Sequence, residues 1–260
     1  MRLVSLPALV GATILAAASA GPAQAEVTLN AGARLSRDNN VNGSPDTPSK
    51  ANQLSDSFLS FSASAVYFTP LDAAQKSYFI GQVGAFSSVY DKFDNLDTSM
   101  LVTSAGLYHQ LSPTWSGQVT GRGFIRDTRQ EDRDSDGLGV TLEIKKQLGQ
   151  KVWIKGVADH EDNEANLSTF SYSGETYGVN LGWLPRENTF VNVGYSHSER
   201  DFEGTVAFVS KSETLFFELS QRMAKNWYLN LGYAHGDNDS NFAGTAYTNH
   251  VVSAGVSFSY

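Results

Sequence analysis

The chain has 260 residues, no cysteine, and 27 acidic against 19 basic side chains, a formal net charge of -8. With no surplus of Lys and Arg to neutralise phosphates, nucleic acid is excluded as a partner. Past the N-terminus no run of about 18 apolar residues occurs, so helical membrane spans are excluded, and a mean hydropathy of -0.27 suits a barrel that puts only alternate residues into lipid.

Residues 1–25 have the layout of a secretory signal peptide. Arg2 is followed by an apolar stretch over residues 6–20, then Gly21 and Pro22, then Ala23-Gln24-Ala25. Small residues at the first and third positions before Glu26 match the A-x-A cleavage pattern. The apolar stretch is too short to span a bilayer, and Pro22 ends any helix leaving it. The expected domains are therefore a cleaved segment, 1–25, and a barrel domain, 26–260. Absence of Cys fits an oxidising compartment.

From residue 26 onward the dominant pattern is period-two alternation, the mark of a strand with one apolar and one small or polar face. Candidate strands fall near 26–37, 57–69, 77–91, 97–111, 115–128, 136–148, 151–160, 172–184, 189–200, 211–223, 227–237 and 248–260. The last is the clearest: Val252, Ala254, Val256, Phe258 and Tyr260 share one face, with Ser253, Gly255, Ser257 and Ser259 on the other. In the third, fourth and seventh, Val89, Leu107 and Val157 do not fall cleanly on either side. Tight connections rich in Pro, Gly and Asn alternate with longer polar ones along the chain. Short turns on one side and long loops on the other belong to a transmembrane antiparallel up-and-down β-barrel of about twelve strands, with short periplasmic turns and longer extracellular loops.

The tryptophans add a second signal. Trp115, Trp153, Trp183 and Trp227 each lie within a few residues of a short turn, which predicts an aromatic belt on the periplasmic rim. Tyr195 and Tyr233 would mark the opposite rim. A soluble barrel of the lipocalin kind would instead bury its apolar face inward.

The signal peptide, the alternating hairpins and the terminal Val256-Ser257-Phe258-Ser259-Tyr260 resemble those of bacterial outer-membrane β-barrel proteins, porin-like and of about twelve strands. The resemblance implies a bacterial outer-membrane location, contact with lipid and lipopolysaccharide, and recognition of the final strand by the barrel-assembly machinery through Phe258 and Tyr260. A narrower resemblance, at Arg37-Asp38-Asn39-Asn40-Val41-Asn42, is to barrels that export polysaccharide or surface lipoproteins; those carry a periplasmic helical-repeat domain ahead of the barrel, which is not found here.

Residues 192–197 (Asn-Val-Gly-Tyr-Ser-His) recur as residues 230–235 (Asn-Leu-Gly-Tyr-Ala-His), 38 residues on, and the match continues weakly through residues 201–205 and 239–245. That period is one hairpin, and hairpin duplication is the reading it supports. His197 and His235 are tempting as a metal pair, but an intervening strand puts them two interstrand spacings apart, about 9.6 Å, too far for one zinc. Acidic stretches at residues 130–136, 160–164 and 237–241 match no dedicated calcium loop, and solvated loop is the expectation. A twelve-stranded outer-membrane phospholipase family uses His and Ser two apart on one strand; none of His109, His160, His197, His235 and His250 has a Ser two residues later. No catalytic residue, cofactor or metal ligand is therefore expected, and no enzyme activity.

The inward face carries the informative chemistry. If Trp115, Val119 and Ile125 face lipid, then Gln118, Arg122 and Arg126 line the lumen, with Glu143, Lys145, Lys155, Asp159, Glu218, Arg222 and Arg34 by the same parity. A charge facing lipid would cost roughly 2–4 kcal/mol at the midplane, so inward placement is preferred. Two outcomes are open. Unpaired bases such as Arg122 and Arg126 would make an anion-attracting pore. Opposite charges on adjacent strands would pair and plug it, leaving a structural, adhesive or surface-interaction barrel that works through its loops. A narrow passive channel for small polar or anionic solutes is the preferred expectation; an export accessory or a lipolytic barrel ranks lower.

Overall fold

The computed structural model describes residues 25–45, 50–204, 208–241 and 245–260. Residues 1–24 of the expected signal peptide (1–25) and the repeat residues Thr205, Phe242, Ala243 and Gly244 lie outside them.

Twelve strands follow in order: β1 (Glu26–Asp38), β2 (Asp56–Pro70), β3 (Ser77–Tyr90), β4 (Thr98–Gln110), β5 (Trp115–Thr128), β6 (Ser135–Gln147), β7 (Val152–Ala165), β8 (Tyr172–Arg186), β9 (Thr189–Phe202), β10 (Phe208–Arg222), β11 (Trp227–Ser240) and β12 (Tyr247–Ser259). Each is antiparallel to its sequence neighbours, and β1 closes on β12, so no strand edge is left to aggregate. The closing seam runs from Asn30 opposite Ser259 to Asp38 opposite Val251. Leu29 and Tyr260 extend it, each donating its N–H to the other's carbonyl at 2.8 and 2.9 Å. The terminal aromatic is thus part of the ladder that shuts the barrel.

Period-two alternation becomes two faces. Outward residues include Leu35, Ile125, Leu138 and Val252, 59%, 63%, 71% and 59% exposed. Around a whole barrel this is an apolar surface that water would not tolerate and that lipid matches. The belt has an upper edge on β8–β11. Past Tyr177, Tyr195, Leu215 and Tyr233, the next outward residues toward the long loops are Glu175, His197, Glu213 and His235. Above that edge the ladders continue: β7 runs to Ala165, β9 to Phe202 and β11 to Ser240, beyond the ends at 160, 200 and 237 that alternation suggested. Polar outward residues such as Asp162 and Asp201 read as loop in the sequence, yet pairing with both neighbours keeps them in strand.

Register also settles the uncertain facings. Val89 and Leu107 face outward and Val157 inward, opposite Gly178. Alternation fails on β3 because both of its faces are apolar: Phe79, Val83 and Val89 point out while Ile80, Phe86 and Tyr90 point in.

The Asp/Asn run after β1 knots the first long connection onto the seam. Asp38 Oδ1 accepts the Asn40 N–H at 2.8 Å. The Asn40 side chain accepts the Ser44 N–H and donates to the Ser44 and Thr248 carbonyls, all at 2.9 Å. Asn40, Val41 and Ser44 are each 1% exposed, so this short stretch is packed as tightly as a core.

Candidate functional site

Every lumen residue expected from parity lies on the inward face: Arg34 on β1, Gln118, Arg122 and Arg126 on β5, Glu143 and Lys145 on β6, Lys155 and Asp159 on β7, Glu218 and Arg222 on β10. They do not form one array. Across the middle of the lumen the charges are paired. Arg122 makes a bidentate fork on Asp159, with Nη2 2.9 Å from Oδ2, and the same nitrogen donates to Glu161 at 2.7 Å. Tyr172 donates its hydroxyl to the other Glu161 oxygen at 2.6 Å. Lys155 donates to Glu143 at 2.9 Å. Arg34 reaches over β12 and β11 to Glu218 at 3.6 Å, and Gly232 lies beneath the guanidinium. Arg122 is therefore not the unpaired cation that the anion-attracting alternative required: Asp159 and Glu161, two strands away on β7, reach it over Gly139.

Nearer the long loops the arrangement changes. Arg126 donates to the neutral Asn163 Oδ1 at 3.2 Å and lies 5.2 Å from the Phe124 ring, and among the described residues it has no ion pair. Arg200, inward on β9, lies 4.9 Å from the Tyr172 ring. Arg133, on a single helical turn between β5 and β6, lies 4.7 Å from the Phe170 ring, and burial pushes its guanidinium below its ordinary value. These three arginines, with Tyr90, Leu96, Tyr172 and Phe202, bound a cavity of about 120 Å³. Parity alone points Arg200 inward, so it was legible; Glu161 was not, because alternation suggested that its strand ends at residue 160. Arg133 was not, because a loop has no parity.

A third feature is an inner wall that carries little charge. On β2–β4, Phe58, Val66, Phe68, Ile80, Phe86, Met100 and Val102 face inward, interrupted by Ser60, Ser62 and Ser64. Ser62 and Gln82 face inward yet are exposed, and the Arg34 side chain is 42% exposed. The middle of the lumen is thus accessible to water, while Asp38, Tyr90, Phe124, Tyr172, Phe202 and Tyr247 near the loops are all buried.

One aromatic placement needs correction. Trp115, Trp183 and Trp227 face outward at 38%, 48% and 51% exposure, but Trp153 is 6% exposed and faces the lumen. It stacks on Phe190 at 5.7 Å under Lys145 at 4.7 Å, and fills the space over Gly182. Its parity is that of Lys155 and Asp159, and that was the available signal. Tyr195 and Tyr233 face outward at 39% and 41% exposure, at the edge of the apolar belt. Phe258 also faces outward, edge-on to Trp227, and Tyr260 is 74% exposed. A larger concavity, about 430 Å³, lies on the outer surface over Gly156 and Ala158; it faces the belt and not the lumen.

No protein-family model and no curated protein matches the chain. Among solved structures, an outer membrane channel from Pseudomonas putida F1 superposes with a TM-score of 0.63 at 12% identity, over 93% of this chain and 97% of that one. The KdgM porin in complex with disordered oligogalacturonate gives a TM-score of 0.49 at 10% identity, over 89% and 99%. The P. putida toluene transporter TodX gives 0.48 at 7%, over 90% and 89%. Closed ladder, apolar outer belt and the first of these likenesses define the class: the chain has the fold of a twelve-stranded outer-membrane β-barrel.

Proposed function

We propose that this protein is a narrow, non-catalytic outer-membrane channel for small polar or anionic solutes. The observation that carries the reading is a water-accessible lumen lined by charged and small side chains inside an apolar belt, typified by Arg34 and Glu218 at 42% and 29% exposure. Twelve strands enclose more space than the eight that side chains fill, and less than the sixteen of an open porin. Anion preference is assigned to Arg126 and Arg200, because Arg122 is neutralised by Asp159 and Glu161. Export through a signal peptide cleaved before Glu26, and delivery to the assembly machinery through Phe258 and Tyr260, complete the reading, with lipid and lipopolysaccharide around the belt. The test is single-channel conductance of refolded protein in a planar bilayer under a salt gradient. Discrete steps with anion preference are expected.

One observation favours a second reading, a non-conducting barrel that works through its loops: charges pair across the mid-lumen, and the layer above them is buried. A silent bilayer, with folding confirmed by a shifted band for unboiled protein on a denaturing gel, would replace the channel with that reading.

A further inference from the structure

The loop-end cavity combines two chemistries. One is positive charge. Arg126, Arg133 and Arg200 converge from β5, the β5–β6 connection and β9. Among the described residues, neither Arg126 nor Arg200 has a carboxylate within ion-pair distance. Glu161, on the same side, is already held by Arg122 and the Tyr172 hydroxyl. The acids across the mouth are also committed. Asp56 accepts the Lys92 and Phe93 N–H groups at 3.0 Å, Asp97 accepts that of Tyr90 at 2.8 Å, and Asp38 is held by Asn40 and Asn249.

The other chemistry is aromatic. Tyr90, Phe170, Tyr172 and Phe202 wall the same cavity, and Tyr172 and Phe202 pack with centroids 5.2 Å apart. A volume of about 120 Å³ is close to the ~150 Å³ that accommodates one benzene in an apolar cavity. An inorganic anion would leave the rings unused, and a neutral arene would leave the guanidinium forks unused. A guanidinium fork matches a planar carboxylate, and aromatic walls favour another ring. The field orients such a molecule, because the arginines lie on the β5–β9 side and Asp38, Asp56 and Asp97 on the β1–β4 side.

We propose that Arg126, Arg133 and Arg200, with Tyr90, Tyr172 and Phe202, form a binding site for a small aromatic carboxylate, its carboxylate on the arginines and its ring against the aromatic walls. The apolar inner wall of β2–β4, with Phe86, Met100 and Val102, continues the path below for the same amphipathic molecule. The inference rests on the channel reading only in making this ligand a transported solute; binding itself needs no conduction.

The probe is benzoate, titrated calorimetrically into barrel refolded in detergent, with acetate and benzyl alcohol as the compounds lacking ring or charge. Saturable benzoate binding is expected, at least about tenfold tighter than either comparator, and weakened about tenfold by Arg126→Gln and by Arg200→Gln. The unboiled-gel shift confirms that each variant is folded, and Arg200→Lys, which keeps the charge without the fork, serves where Arg200→Gln does not fold. No saturable binding to folded protein, acetate binding as tightly as benzoate, or unaltered affinity in the variants would overturn the site. The bilayer separates the two proposals. Conductance without benzoate binding removes the site and leaves the channel; benzoate binding to a silent barrel removes the channel and leaves the site.

Discussion

Arg122 and Arg126 stand four residues apart on the inward face of β5, with Phe124 between them, and their surroundings differ. Arg122 belongs to a mid-lumen girdle in which Asp159, Glu161, Thr141 and Tyr172 close around it, with both partners in its ion pairs about one-fifth exposed. Arg126 belongs to the loop-end layer, where guanidinium groups lie near rings and amides. The girdle ties β5 to β7 over the intervening β6, so its charges serve the barrel. The layer above sets arginines on the wall of a cavity, and the proposed site gives them to a solute. Lumen position alone does not make a cation part of a selectivity device; its distance from a carboxylate does.

The comparison breaks most readily at Arg122. Arg122→Gln leaves Asp159 and Glu161 as half-hidden neighbours without a cation, and is expected to cost roughly 2–4 kcal/mol of stability by urea unfolding in detergent. A loss below about 1 kcal/mol would mean that lumen water already solvates the pair and that the girdle is not structural. Gly139→Ala tests the same girdle from the neighbouring strand. Its Cβ would come within 2.6–2.8 Å of the Arg122 guanidinium, and a cost of about 1–2 kcal/mol is expected as the fork is displaced from Asp159. The loop-end layer should respond in the other currency, selectivity. Arg126→Glu with Arg200→Glu is expected to change stability by less than about 1 kcal/mol while reversing the sign of the zero-current potential in a salt gradient. Arg122→Gln should leave that sign unchanged, and a reversal there instead would exchange the roles of the two regions.

The smallest effect lies outside both, at the β2–β3 turn. Asp72 accepts the Lys76 and Ser77 N–H groups at 3.0 and 2.7 Å, and hydrogen bonds from Ser77 and Lys76 hold its carboxyl below the usual carboxylate range. A depressed folded-state value means that this contribution is present above the unfolded value near 3.8 and fades as pH falls through the lower folded one. The urea-midpoint gap between wild type and Asp72→Asn should therefore narrow on acidification from pH 6 to pH 3; a gap that widens would contradict the assignment.

Much of the architecture was legible along the chain. Alternation is a local property of a strand whose two faces meet different solvents, so β5, β6, β11 and β12 declare both their existence and their facing, and Arg34, Glu143 and Glu218 fall inward by parity alone. Where both faces are apolar, as on β3, the signal cancels. Trp153 shows a different failure: nearness to a short turn suggested the lipid rim, while its own parity with Lys155 pointed to the lumen.

What the chain determined by itself was the strand number, the inward set and the apolar belt, because each follows from residues within one strand's length. Which inward charges meet was decided by closure and register. Arg122 finds Asp159 across 37 residues because β6 presents a glycine between them. Arg34 finds Glu218 because the seam sets β1 beside β12 with Gly232 beneath the reach. Arg126, two inward positions further up β5, meets Asn163 where the ladder below offers Asp159 and Glu161. Electrostatic pairing falls off over a few ångströms, and distances of that size between remote residues exist only once the barrel has closed.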